Sequence, residues 1–185
     1  LTSINLKIPF FDGLMESKSW DPDEGEKGYY TYVEEDYQTN STVKELNGNA
    51  QPIITFADYM IAESLEDTEL DEFADDPAEW MNRHWDIINE QFYDSENYLY
   101  NHSTIDSKKY MEDQFIVAIA GFLIGRTNDI WLEDTAYGNL KTNANQTATN
   151  LTQQMLEATI NDGAWSTYDA FIHSRTSDNT DSFDD

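Results

Sequence analysis

Gln114-Phe115-Ile116-Val117-Ala118-Ile119-Ala120-Gly121-Phe122-Leu123-Ile124-Gly125-Arg126 holds the one continuously apolar run in the chain, from Phe115 to Gly125, between Asp113 and Arg126. A helix that crosses a bilayer needs about 20 apolar residues. This run is shorter, so it reads as a buried core helix over about 108–126. Ala118, Gly121 and Gly125 lie three and four apart and share one helical face. Small side chains there let a neighbouring helix come close. The same Gly-x-x-x-Gly spacing can pair helices in a membrane, but no membrane span is expected from a run of this length.

Upstream of the core helix, a second helical signal begins at Asp76-Pro77-Ala78-Glu79. Asp at the N-cap, Pro at the first helical position and Glu two residues on form a start signal. Met81, Trp85, Ile88 and Phe92 continue it as a stripe at i, i+4, i+7 and i+11. Before it, Thr55-Phe56-Ala57-Asp58 resembles a capping box, followed by Phe56, Met60, Ile61 and Leu65 at helical spacing. Downstream, Ala148, Leu151, Met155 and Ala158 mark a further helix that ends at Asn161-Asp162-Gly163. A short last helix is expected to carry Trp165, Tyr168 and Ile172. The segment 93–107, polar with several tyrosines, reads as a connection.

The first third has a different period. Ile4, Leu6, Ile8 and Phe10 alternate with polar residues, which predicts a strand, and Pro9 pushes it to a sheet edge. Gly28-Tyr29-Tyr30-Thr31-Tyr32-Val33 is aromatic and β-branched, a second strand. Thr42 to Leu46, then Asn47-Gly48, then Asn49 to Ile54 predict a hairpin, because both turn positions tolerate positive φ. The expected fold is therefore α+β: a small antiparallel sheet from the N-terminal third packed on a bundle of about four helices. The expected organisation is one domain over 1–173, mainly β over 1–54 and mainly helical over 55–173. A mobile acidic tail is expected over 174–185.

Composition limits the function classes. Of 185 residues, 39% are hydrophobic and 14% aromatic, too many for a disordered chain and enough for one core. No cysteine is present, which removes disulfides, thiolate catalysis and Cys-ligated zinc. The 37 acids against 10 bases leave a net charge of −27. Such a surface repels nucleic acid and anionic membranes, and its self-repulsion opposes compaction at low salt. Three accounts of the charge compete: adaptation to high salt, where screening removes the repulsion; imitation of a polyanion; and a solvated surface, or one matched to a basic partner such as a toxin. Acids spread from Asp12 to Asp185 favour the first. The balance of seven Lys to three Arg runs against it, because salt-adapted chains tend to prefer Arg.

The constellations that could carry chemistry are sparse. Asp21 to Glu26 suggests a calcium loop, but the fifth, sixth and twelfth positions hold Gly25, Glu26 and Tyr32 where an EF-hand needs Asp or Asn, Gly and Glu. His84, His102 and His173 are far apart and lack metal-ligand spacing. His84 lies beside an apolar stripe and reads as a partly buried, hydrogen-bonded residue. No nucleophile elbow, phosphate-binding loop or dinucleotide fingerprint occurs. Lys108-Lys109 is the one basic doublet, too little for a nucleic-acid footprint. No catalytic residue, cofactor or metal is expected.

Two features point to partners instead. Glu63, Glu66, Asp67, Glu69, Asp71, Glu72, Asp75 and Asp76 form a dense acidic run. Carboxylates every two or three residues on a helix rising ~1.5 Å per residue approach the charge density of duplex DNA, about one per 1.7 Å. Trp80, five residues from Trp85, cannot share its narrow face and is a candidate partner surface, together with Glu66, Asp67, Glu69, Asp71, Glu72, Asp75 and Asp76. Asn-x-Ser/Thr sequons at Asn40, Asn101, Asn145 and Asn150 fall in segments read as loops or helix edges. The leading expectation is a non-catalytic structural or assembly subunit with a halophile-type surface. It would be a homo- or hetero-oligomer, at a virion or extracellular surface or in the cytoplasm of a salt-adapted host. The alternative is a DNA-mimic or immunity-type inhibitor of a basic nucleic-acid-binding protein or toxin. Neither reading involves direct nucleic-acid binding.

Overall fold

The computed structural model describes residues 20–21, 27–31, 42–66, 77–127, 139–161, 172–175 and 181–183. Four helices carry the described fold: α1 (Leu46–Glu66), α2 (Pro77–Gln91), α3 (Met111–Arg126) and α4 (Leu140–Asn161). Around them lie short antiparallel pairings. β1 (Trp20–Asp21) pairs with β2 (Gly28–Tyr29), and β3 (Tyr93–Asp94) with β4 (Leu99–Tyr100). β5 (Lys109–Tyr110), β6 (Ile172–Arg175) and β7 (Asp181–Phe183) form a three-stranded sheet in that order. The class is α+β and mostly helical. Packing runs α2 on α1, α1 on α3 and α3 on α4, and one contiguous core passes through all four helices.

The predicted stripe of α2 is realised: Met81, Trp85, Ile88 and Phe92 are all buried. The close helix approach expected of the small residues is realised between α3 and α4. A Cβ on Gly121 would stand 2.5 Å from the Ala144 carbonyl oxygen and 2.9 Å from the Ala148 methyl. Gly125 is less confined, with the Asn145 side chain at 3.2 Å.

The hairpin expected across Asn47-Gly48 is not formed, and these residues lie in the first turn of α1. Leu46, Asn49, Ala50, Ile53, Phe56, Ala57 and Met60 are buried at helical spacing. That continuous buried face outweighs a local turn preference, since most helical stability in proteins comes from packing. Thr55 is consequently a buried mid-helix residue rather than a cap, and the expected change from β to α at 54/55 moves forward to Leu46. Pro52 is accommodated inside α1. Asn49 shows why the N-terminal strands still dock here. Its Oδ1 accepts from the Tyr29 N–H at 2.6 Å, and its Nδ2 donates to the Tyr29 carbonyl at 3.1 Å and the Glu45 carbonyl at 2.9 Å. A buried amide thus takes the place of a neighbouring strand. Gly28 beside it has φ 132°, and a Cβ would meet Asn49 Oδ1 at 2.7 Å, so only glycine suits the site.

Three further expectations change. The connection over 93–107 contains the β3–β4 hairpin. Ile172 is in β6, not in a helix. The expected mobile tail over 174–185 has its backbone in β6 and β7 at 174–175 and 181–183, with Lys109 opposite Arg175 and Tyr110 opposite Ser174. Backbone pairing requires no apolar side chain, so a polar segment can join a sheet that hydrophobicity does not announce. The strand expected over 1–11 and the short helix around Trp165 and Tyr168 lie outside the described residues.

Candidate functional site

Helix α3 is apolar on all sides, which predicts complete burial. Its two sides have different fates. Asp113, Val117, Ala120, Gly121 and Ile124 are buried against α1 and α4. On the opposite side Phe115, Ile119 and Phe122 are 42%, 48% and 40% exposed. Ile116 and Leu123 flank them, partly buried against the core. The expectation of a fully buried core element therefore holds for one side only. Three large apolar side chains in line, held at the surface by a helix whose other side is locked in the core, form an exposed apolar stripe.

The stripe continues into charge at both ends. Glu112 and Arg126 are exposed and lie on the same face, so the order is Glu112, Phe115, Ile119, Phe122, Arg126. The steps are three, four, three and four, the spacing of a helix–helix packing seam. The acid in the first turn and the base in the last turn also suit the helix dipole. Ile119 sits at the midpoint, seven residues from each charged end.

Polar contacts hold α3 in place. At its start, Gln114 Oε1 accepts from the Tyr100 N–H at 2.9 Å, and its Nε2 donates to the Tyr100 carbonyl at 2.8 Å. This reciprocal pair ties the helix to β4. His102 Nδ1 lies 2.8 Å from Asp113 Oδ2. Burial pushes the Asp113 carboxyl above the usual carboxylate range, and the His102 hydrogen bond partly opposes that rise. The His102 ring packs edge-on against Tyr110, with centroids 4.8 Å apart. The His102 carbonyl also accepts from the Leu46 N–H at the start of α1. At the other end, Thr127 leaves the helix in an extended conformation, and its hydroxyl donates to the Ile124 carbonyl at 2.7 Å.

Of the residues singled out in the sequence, Trp80 is partly buried against the core. The Arg83 guanidinium lies over its ring at 5.0 Å, a cation–π arrangement. Glu66 closes α1, and Asp67, Glu69, Asp71, Glu72, Asp75 and Asp76 lie outside the described residues, so the acidic run is not brought together with Trp80 in any described arrangement. Asp21, the first residue of the suggested calcium loop, is buried in an ion pair with Lys44 at 2.8 Å. Lys109, half of the basic doublet, is buried with Asp94 at 2.7 Å. Among the described residues no group of three or more His, Asp or Glu is placed to hold a metal ion. The sequons at Asn145 and Asn150 lie within α4 and are exposed, rather than at a loop or helix edge.

The outward stripe of α3 is the feature that sequence reasoning passed over. Its signal was the 3–4–3–4 order of Glu112 to Arg126, masked because every intervening residue is apolar as well. No described helix is long and apolar enough to cross a membrane. In comparisons with known proteins, no family model and no curated protein matches the chain.

Proposed function

We propose that the protein is a non-catalytic assembly subunit that docks a second copy of itself, antiparallel, along the outward face of α3. The observation that carries this reading is the half-exposed row of Phe115, Ile119 and Phe122 on a helix whose opposite side is core. The occupant follows from charge. A twofold axis through Ile119 sets Glu112 of one copy beside Arg126 of the other, and Phe115 beside Phe122. A twofold interface must be self-complementary, and this sequence order is. Seam spacing of this kind packs helices at about 20° with their axes roughly 8–10 Å apart. The highly acidic remainder of the surface suits a component of a larger complex in a salt-rich setting, such as a virion or cell-surface assembly.

Self-association is opposed by the −27 carried by each copy. Screening reduces that long-range repulsion, with a Debye length of about 3 Å at 1 M salt. Dimer mass, read by light scattering after gel filtration, is therefore expected to grow from dilute buffer to molar KCl. Ile119→Asp should yield monomer with unchanged thermal unfolding. Glu112→Arg alone should weaken the dimer, and adding Arg126→Glu should restore it. A monomer at every salt concentration, or a charge swap without recovery, overturns this reading. The acids would then pass to the other account, a polyanion-like inhibitor with a basic partner, which rests on the density of Glu63 to Asp76.

A further inference from the structure

Hairpin β3–β4 and helix α4 border an open cleft of about 350 Å³, within the roughly 300–1,000 Å³ of small-molecule sites. One wall is aromatic, from the exposed Tyr93 and Tyr98, with the fully buried Tyr100 beside Tyr93. The other is amide, from Asn150, Gln153 and Gln154 of α4. None of the described lining residues is charged, although charged residues make up 25% of the chain.

The hairpin turn is built to present its tyrosines. Asp94 Oδ1 accepts from the N–H groups of Glu96 at 3.0 Å and Asn97 at 3.3 Å. Its Oδ2 accepts from Asn97 Nδ2 at 2.8 Å and from the buried Lys109 Nζ at 2.7 Å. These bonds fix the turn and leave Tyr98 at φ 59°. Left-handed backbone costs an L-residue about 1 kcal/mol or more, so glycine or asparagine is usual there. Tyr98 gives the core nothing in return, because its side chain is 61% exposed. Strain retained in that way marks positions of use. Tyr93 stands beside Tyr100 with ring centroids 5.2 Å apart, and the Tyr100 hydroxyl is held by Asn89 Oδ1 at 2.6 Å. The aromatic wall is thus preorganised.

We propose that this cleft binds a neutral saccharide. Tyrosine faces accept the apolar faces of a sugar ring, while amides supply paired donors and acceptors to its hydroxyls. An anionic ligand finds no cation among the described lining residues and meets the repulsion of an acidic surface. The cleft faces α4 and the hairpin, so the proposal stands independently of pairing through α3.

The test is saturation-transfer NMR on the full chain produced in a bacterial host, with maltotriose, mannotriose and the N-acetylglucosamine trimer as probes, and trigalacturonate as the charged control. At least one neutral trisaccharide should bind in the millimolar range or tighter, and trigalacturonate should not. Tyr98→Asn should lower affinity about tenfold, with a melting temperature equal to or above that of the parent because strain is relieved. Gln154→Ala should weaken binding without altering unfolding. Absence of transfer from all three neutral probes, binding of trigalacturonate as well as the neutral probes, or parental affinity in Tyr98→Asn, overturns the proposal.

Discussion

At the scale of single residues, the ionisable side chains inside this fold differ in what neutralises them. Lys44 and Lys109 are buried as ion pairs with Asp21 and Asp94. His84 is also buried: its Nδ1 lies 2.8 Å from the Trp80 carbonyl, and its ring stacks on Tyr29 at 5.6 Å between centroids. Burial lowers its pKa from 6.5 to about 4, with the Trp80 hydrogen bond opposing and the Arg83 charge adding. The unfolded chain thus takes up this proton near pH 6.5 and the folded chain only near 4. Between those values the unfolded state binds more protons, so His84 makes stability fall as pH falls, approaching ~1.4 kcal/mol per unit. Asp113 acts in the other direction, since its carboxyl is raised by burial and protonation relieves it. The two are separated by a variant. His84→Phe should remove the His84 contribution, so the stability difference from the parent in urea unfolding should change by roughly 3 kcal/mol between pH 6.5 and 4. Parallel pH profiles would show that His84 is not neutral in the folded protein. The reading of His84 as a hydrogen-bonded residue was available from its place beside the α2 stripe, but its complete burial was not, since partial burial was expected. The Asn49 amide that stands in for a strand was not, because nothing local to Asn49 names Tyr29 as its partner.

At the scale of elements, the contact between α3 and α4 is set by what glycine leaves out. Gly121→Ala adds a methyl 2.5 Å from a backbone carbonyl that cannot rotate away. The helices must separate, at a cost of about 1–3 kcal/mol after allowing for the helix propensity that Ala gains. Gly48 is the opposite case: it is exposed in α1, with nothing within 4 Å of an added Cβ. Gly48→Ala should stabilise by about 0.5–1 kcal/mol, since Gly is costly in a helix. Opposite signs for the two variants in urea unfolding check both the close approach and the helical state of Asn47-Gly48. Equal signs would restore the turn reading of that dipeptide. The small-residue face of α3 was legible because helical spacing is a local property. The state of Asn47-Gly48 was not, because a turn preference of a few residues competes with a buried face that appears only when α1 meets α2 and α3.

At the scale of the whole molecule, charge sets the conditions under which everything else holds. Among the described residues, Lys44 and Lys109 are withdrawn into buried pairs, and with 10 bases against 37 acids few remain to offset the surface acids. Thermal unfolding by circular dichroism, from dilute buffer to molar KCl, should show a rising melting temperature as repulsion is screened. Each 1 kcal/mol recovered corresponds to about 2–4 °C for a chain of this size. An unchanged melting temperature would mean that the acids are not self-opposing in the fold, and would direct attention to a basic partner. The sequence alone determined the acidic character, the absence of thiol chemistry, the α+β class, the stripe of α2 and the packing face of α3. All of these follow from counts or from spacing within one element, which local periodicity reports. Tertiary structure decided which side of α3 faces solvent, where α1 begins, that β6 pairs with β5, and that tyrosines and amides share one cleft. Those features depend on which surfaces meet across distant parts of the chain. An apolar residue has the same pattern whether its neighbour is the core or a partner still to arrive.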